Sequence, residues 1–110
     1  DSFDFSFSGL KAAGQRSILK LSDPQSQLAD LCASYQESIV DVLMLKLEKA
    51  LKHSKLKNFT VTGGVSANSR LRERSFELAK RLGGECRIPP LKFCTDNAAM
   101  IAWAGCERLA

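Results

Sequence analysis

Phe59-Thr-Val-Thr-Gly-Gly-Val-Ser-Ala-Asn-Ser-Arg-Leu71 sets the fold class of this 110-residue chain. Phe59 to Thr62 has strand composition, β-branched and aromatic, with Phe59 and Val61 on one face. Gly63-Gly64 ends the strand in a tight turn. Neither glycine carries a Cβ, so backbone or ligand can come close there. Ser66 has the side chain of a helix N-cap, and helical spacing runs from Ala67. Strand, glycine turn and helix start together make a cradle for an anion or a nucleotide, because unpaired N–H groups and the positive end of the helix dipole meet at the turn. Asn68, in the first helical turn, brings donors and an acceptor to the same place. Many αβ proteins place Gly-Gly before a helix for packing alone, and these residues by themselves support either reading.

Upstream, Phe3-Asp-Phe-Ser-Phe-Ser8 alternates apolar and polar residues, the pattern of a half-buried strand. Ser8 is placed to cap a helix from Leu10 to about Leu19, which Gly14 weakens. Ser22-Asp-Pro-Gln reads as a turn and a new helix start, with Pro24 near the first turn. In the long helix that follows, Leu28, Leu31, Cys32, Tyr35, Ile39, Val42, Leu43, Ala50 and Leu51 recur at three- and four-residue steps. Leu28 to Leu51 covers roughly 35 Å at about 1.5 Å per residue. Val40, Met44 and Leu45 lie off that stripe, so this helix is expected to be covered on more than one side. Lys49, Lys52, His53, Lys55 and Lys57 crowd its end, where cations suit the negative dipole terminus. They read as a solvated helix end in preference to a contact with RNA phosphates.

Downstream, a helix over Ala67–Leu82 turns Leu71, Leu78, Ala79 and Leu82 inward. Arg70, Arg72, Arg74, Lys80 and Arg81 face mostly outward, with Glu73 and Glu77 spaced to pair with neighbouring cations. Gly83-Gly84 closes it, Glu85–Ile88 forms a short strand, and Pro89-Pro90 stops that strand. Thr95 caps a last helix, Asp96–Leu109, whose alanines and Gly105 suit close packing on a sheet. Helical crossovers between strands imply an α/β architecture, a three-stranded, mainly parallel sheet with flanking helices.

Composition narrows the class. With 45% apolar and 25% charged residues the chain is neither disordered nor fibrous. No apolar run approaches the roughly 20 residues that span a bilayer, and Asp1-Ser-Phe-Asp-Phe is no signal peptide. The chain lacks an initiator Met and opens inside a strand pattern, which implies a piece of a longer protein. A net charge of +4 is compatible with an RNA or phosphate partner. Cys32, Cys86, Cys94 and Cys106 form no C-x-x-C pair and read as buried thiols of a reducing cytosol, against a disulfide framework or a cysteine-only zinc site.

Pro90-Leu-Lys-Phe-Cys-Thr-Asp-Asn97 is the second stretch with chemistry in it. Asp96 and Asn97 stand at a helix start just past a strand end, and open αβ sheets bind ligands at the carboxyl ends of their strands. Gly63, Gly64, Asn68 and Asp96 are therefore expected to converge on one cleft. On its own residues Asp96 reads as a first-turn carboxylate complementing the helix dipole, in preference to a metal ligand. A metal needs further ligands, and the only histidine, His53, belongs to the end of the long helix. No Ser-His-Asp or Cys-His constellation is present.

Asp4-Phe-Ser-Phe-Ser-Gly-Leu-Lys11, Thr62-Gly-Gly-Val-Ser-Ala-Asn68 and Phe93-Cys-Thr-Asp-Asn-Ala-Ala-Met-Ile-Ala-Trp-Ala-Gly105 closely resemble the carboxyl-terminal part of the tRNA adenosine threonylcarbamoyltransferase family, formerly labelled O-sialoglycoprotein endopeptidase or glycoprotease. The resemblance covers nearly the whole chain. It implies an actin-like, Hsp70-like ATPase (ribonuclease H-like) fold of two lobes, with residues 1–110 a single partial domain forming most of the second. It implies transfer of a threonylcarbamoyl group from its adenylate to N6 of adenosine 37 in tRNA. Gly63, Gly64 and Asn68 match nucleotide or adenylate contacts, for ATP or threonylcarbamoyl-adenylate. Asp96 matches the aspartate of a divalent metal site, iron or zinc, whose two histidines lie in a His-x-x-x-His motif that this chain lacks. The implied partners are tRNA, a related pseudo-enzyme subunit and a small ATPase, in a bacterial cytoplasm or a mitochondrion and away from membranes. Such a half-site is expected to be inactive alone. Three other readings stand beside it: a non-catalytic assembly module docking partner subunits, the metalloendopeptidase of the old label, and a sugar or acetate kinase of the same fold.

Overall fold

A computed structural model describes residues 3–110, the side chain of Pro24 apart. The chain forms two compact units, one up to Leu56 and one from Lys57 to Ala110.

The first unit is a helix pair. Helix α1 runs Ser8–Ile18 and helix α2 Pro24–Ser54. Ser8 is the first residue of α1, not its cap: Phe7 holds the N-cap position and no side chain caps the helix. Gly14, which weakens α1 locally, is what lets it lie close on α2. A Cβ there would fall 2.9 Å from Cε2 of Tyr35. Asp23 caps α2, its Oδ1 accepting from the Gln25 N–H at 3.2 Å and its Oδ2 from the Ser26 hydroxyl at 2.7 Å. Lys55, left-handed at φ 58°, ends α2. The 31 residues of α2 make it about 46 Å long at about 1.5 Å per residue.

The apolar stripe of α2 divides along its length. Leu28, Leu31, Cys32 and Tyr35 line a groove with Gly14 and Ile18 of α1. Farther along, the buried residues are Val40, Met44 and Leu51, while Leu45 stays 69% exposed. Val40, Met44 and Leu51 follow at steps of four and seven, one ridge of the helix. Val40 and Met44, expected off the stripe, are thus buried together with Leu51 of the stripe, while Leu45 is not.

The strand expected at Phe3–Ser8 does not form. Phe3, Phe5 and Phe7 are 43%, 50% and 37% exposed, and the Phe5 and Phe7 rings stack at 6.0 Å. Phe3 lies 5.4 Å from the His53 ring, with the Lys49 ammonium 5.3 Å from its centroid. Alternation supplies the faces of a strand, but a strand exists only through a ladder of partner hydrogen bonds, and residues 3–7 pair with no strand.

The second unit holds the sheet. Strands β1 (Phe59–Thr60) and β2 (Cys86–Arg87) pair in parallel, Phe59 opposite Cys86 and Thr60 opposite Arg87. Among the described residues the sheet has two strands, not three. The Phe59 N–H donates to Glu85 O and the Val61 N–H to Arg87 O, each at 3.0 Å. Helix α3 (Ser69–Leu82) makes the crossover and ends at Gly83, left-handed at φ 65°. Leu71, Leu78, Ala79, Cys86 and Cys94 are buried, as are Ser66 and Ser75. The Ser75 hydroxyl turns back to Leu71 O at 2.7 Å, which satisfies it inside the core. Arg70–Glu73 at 2.6 Å and Arg74–Glu77 at 4.0 Å are the expected pairings along α3.

Helix α4 runs Ala98–Leu109, with Asn97 and not Thr95 as its cap. It does not pack as a thin helix on the sheet: none of its residues is buried, and Ile101 and Trp103 are 67% and 69% exposed. The cysteines also divide. All four thiols are free, Cys86 and Cys94 buried but Cys32 and Cys106 exposed. No helix among the described residues is long and apolar enough to cross a membrane.

The Ser26 hydroxyl bond, the largest cause, and the backbone N–H bonds hold the Asp23 carboxyl below the usual aspartate range. A depressed folded-state pKa adds stability that is present above the unfolded value and lost as pH falls through the folded one. In an acid titration followed by amide NMR, the Gln25 and Ser26 resonances are expected to shift with a midpoint below that of an unstructured aspartate. A midpoint at or above it would show that the cap does not form.

Candidate functional site

Parallel pairing sends the loops after β1 and β2 to the same end of the sheet, and a cleft opens there. Its volume is about 610 Å³, and it is lined by Thr62, Gly63, Gly64, Pro89, Phe93, Cys94, Thr95, Asp96 and Met100. Three of the four expected site residues therefore share one cavity. Asn68 is not part of that lining. Its Oδ1 accepts from the Leu71 N–H at 2.9 Å, so Asn68 is the N-cap of α3.

The glycine turn is built differently from the strand–turn–helix cradle expected. A 3₁₀ turn, Gly64–Ala67, stands between Gly63 and α3. Hence Ser66 does not cap α3, and the dipole of α3 begins past the glycines. Ser66, 1% exposed, closes the turn on itself: its N–H donates to Gly63 O at 3.0 Å and its hydroxyl to the same oxygen at 2.6 Å. Gly63 has φ 93° and ψ 174°, a region that only glycine occupies without strain, and a Cβ there would meet nothing within 4 Å. The residue is fixed by its backbone angle, not by crowding.

The opposite wall begins at Pro89-Pro90, passes through a 3₁₀ turn at Leu91–Phe93 and reaches Asp96. Cys94 anchors this loop, 3% exposed, its Sγ 3.6 Å from both Pro89 O and Pro90 O. Asp96 lies outside α4, one residue before the cap, and its side chain is exposed. Asn97 Oδ1 accepts from the Met100 N–H at 3.1 Å, so the cleft reaches the first turn of α4 and the positive end of its dipole. The Lys92 ammonium, not itself part of the lining, sits 4.8 Å from the Phe93 ring centroid. An exposed carboxylate, a Cβ-free turn and an aromatic side chain thus line one space.

The donor set does not by itself hold a metal. No group of three His, Cys, Asp or Glu among the described residues is placed to bind one, and Asp96 is the one carboxylate in the cavity lining. Cys86, buried in the strand behind the cavity, has its thiol pKa pushed up by burial, with the charge of Arg72 opposing.

Arg72 is the residue beside the site that sequence reasoning placed wrongly. It was expected to face outward. Its guanidinium instead folds under the cavity, Nη1 donating to Ser66 O at 2.9 Å and Nη2 to Pro89 O at 2.7 Å. Helical spacing alone gives a residue's face, not the carbonyls that two loops bring within its reach. Phe93 was legible only as part of a motif.

Residues 1–103 match the family described as tRNA N6-adenosine threonylcarbamoyltransferase. The chain belongs to that family. It is 55% identical over 112 residues to the tRNA N6-adenosine threonylcarbamoyltransferase of Bdellovibrio bacteriovorus, covering all of this chain and 32% of the relative. To the protein of the same description from Magnetococcus marinus it is 50% identical over 111 residues, covering 98% of this chain and 31% of the relative. The chain thus spans about a third of the length of these relatives. Membership carries the actin-like, ribonuclease H-like fold, of which the described residues show the parallel β1–α3–β2 unit.

Replacing Gly63 by alanine forces a Cβ into a backbone region that is essentially glycine-only. A stability loss of about 1–3 kcal/mol is expected, read as a lower denaturant midpoint at unchanged slope. An unchanged midpoint would mean that the turn relaxes to a different conformation at no cost.

Proposed function

We propose that the cleft between the glycine turn and Asp96 is this chain's share of a transfer centre that moves a threonylcarbamoyl group from its adenylate to N6 of adenosine 37 in tRNA. The observation carrying this reading is that Gly63, Gly64 and Asp96, 32 residues apart in sequence, line one cavity at the carboxyl ends of parallel strands. Family membership supports it, since the relatives carry that transferase in their descriptions.

The roles follow from the chemistry of the lining. At Gly63 and Gly64 an adenylate phosphate can approach the backbone without meeting a side chain. Phe93 offers an apolar face to a base. Asn68 acts through its cap, fixing where α3 begins behind the glycine turn. Asp96 is suited to give one oxygen to a divalent metal, iron or zinc, with the remaining ligands from outside residues 1–110. Such an ion, when bound, supplies Lewis acidity toward an oxygen of the substrate.

The transfer itself needs no protein nucleophile. The adenosine amine attacks the carbamoyl carbon, the bond to the phosphate oxygen breaks, and the amine proton is released. Holding the adenylate and the base at reacting distance is the larger part of such catalysis. tRNA is therefore the substrate in this reading. A pseudo-enzyme subunit and a small ATPase are partners of the complete protein, and the setting is cytoplasmic.

In the complete protein, Asp96→Ala is expected to lower tRNA threonylcarbamoylation on the order of 100-fold or more, the effect of removing one group that stabilises transition-state charge. Thermal unfolding should be nearly unchanged, because the side chain is exposed. Wild-type modification, measured by nucleoside mass spectrometry, would remove Asp96 from the centre.

A further inference from the structure

Two walls of the cleft come from segments far apart in sequence, and one side chain is bonded to both. Arg72, on the first turn of α3, donates through Nη1 to Ser66 O at 2.9 Å and to Pro89 O at 3.3 Å, and through Nη2 to Pro89 O at 2.7 Å. Its Nη1 also lies 3.8 Å from Cys94 Sγ. Ser66 is the residue whose N–H and hydroxyl close on Gly63 O, and Cys94 is the buried anchor of the loop that ends at Asp96. A continuous path of bonds therefore runs from Gly63 through Ser66 and Arg72 to Pro89 and Cys94.

The choice of arginine follows from this geometry. A guanidinium is planar and carries five donors in a fixed fork, so it can hold two carbonyls at a set separation. A lysine ammonium has three donors on one rotatable nitrogen at the end of a flexible stem, so it does not fix the separation of two carbonyls. Bonds from a charged donor are roughly twice as strong as neutral ones. One carbonyl belongs to a single 3₁₀ turn and the other to irregular backbone, and neither lies in the strand ladder.

We propose that Arg72 is the positioning residue of the cleft: its guanidinium fastens the Gly63–Ala67 wall to the Pro89–Cys94 wall and sets where the glycine turn stands relative to Asp96. Its effect on transfer rests on the function proposed above; the fastening does not.

The test uses the complete protein with Arg72→Met, which keeps an apolar stem and removes every donor, and Arg72→Lys, which keeps the charge. Spin labels go on Val65→Cys and Lys92→Cys, both exposed positions on opposite walls, with the exposed cysteines, Cys32 and Cys106 among them, replaced by serine. Dipolar EPR is expected to show at least a twofold broader inter-label distribution for Arg72→Met and an intermediate spread for Arg72→Lys. In the unlabelled variants kcat for tRNA threonylcarbamoylation should fall tenfold or more with Met and less with Lys, while KM for tRNA stays within twofold. Arg72→Lys keeps the test decisive where Arg72→Met fails to fold. An unchanged distance distribution in the folded variants overturns the fastening, whatever the rate. A broadened distribution at wild-type kcat leaves the fastening standing and overturns the cleft as the transfer centre.

Discussion

Strands that run the same way must deliver their following loops to the same end, and everything at the cleft follows from that constraint. Among the described residues, Phe59–Thr60 and Cys86–Arg87 alone carry it. Their ladder cannot hold itself: the two bonds from the Phe59 and Val61 N–H groups contribute about 0.5–1.5 kcal/mol each. Burial decides. Leu71 and Leu78 are 4% and 1% exposed, and covering such a side chain contributes about 1.5–3 kcal/mol. Helix α3 is thus more than a connector. Its buried face packs on β2, and its first turn carries the arginine bonded to both following loops.

Burial falls off across the site from one side to the other. Ser66, Ser75 and Leu78 are almost wholly buried, and Arg72 and Cys94 bond to backbone carbonyls beside them. Beyond Cys94 the chain emerges: Thr95 and Asp96 are exposed, and α4 buries nothing among the described residues. The glycine turn is therefore the fixed reference of the cleft, and Asp96 is held at the end of a tether whose last buried point is Cys94. An exposed carboxylate keeps its hydration, which suits a group meant to meet a cation and not to pack.

Much of this was legible in the sequence where a pattern has one physical meaning. Asp23-Pro24 announced the start of α2 because a carboxylate followed by proline satisfies a helix N-terminus in few other ways. Gly83 announced the end of α3 for the matching reason. The readings that failed share a cause. Ser66, Ser8 and Thr95 all resemble caps, since their hydroxyls accept readily, but a hydroxyl also donates, and Ser66 spends its proton on Gly63 O. Asn68 and Asn97 took the caps of α3 and α4, each amide oxygen accepting from the N–H three residues on. The phenylalanine alternation of Phe3–Phe7 failed differently: periodicity gives the two faces of a strand, while its existence depends on a partner that no local pattern encodes. Gly63, Gly64 and Asp96 were found together because the αβ crossover rule is topological and survives errors of two or three residues in element boundaries.

The composition of the cleft also bears on what kind of catalyst it can belong to. A carbamoyl group joined to a phosphate is already activated, so an enzyme using it needs placement and charge stabilisation more than an attacking residue. The cleft has that character. It offers bare backbone at a glycine whose conformation other residues avoid, an aromatic face and one carboxylate, and its lining pairs no nucleophile with a base. Its one buried lining thiol, Cys94, is turned onto two proline carbonyls and serves the loop. A hydrolase that breaks peptides needs a water activated next to a base, and the lining supplies only the exposed Asp96 toward that end. On the function proposed here, the economy of the lining is what the reaction asks for: the reactivity arrives with the substrates, and the protein's part is to keep a turn and a carboxylate at a constant distance.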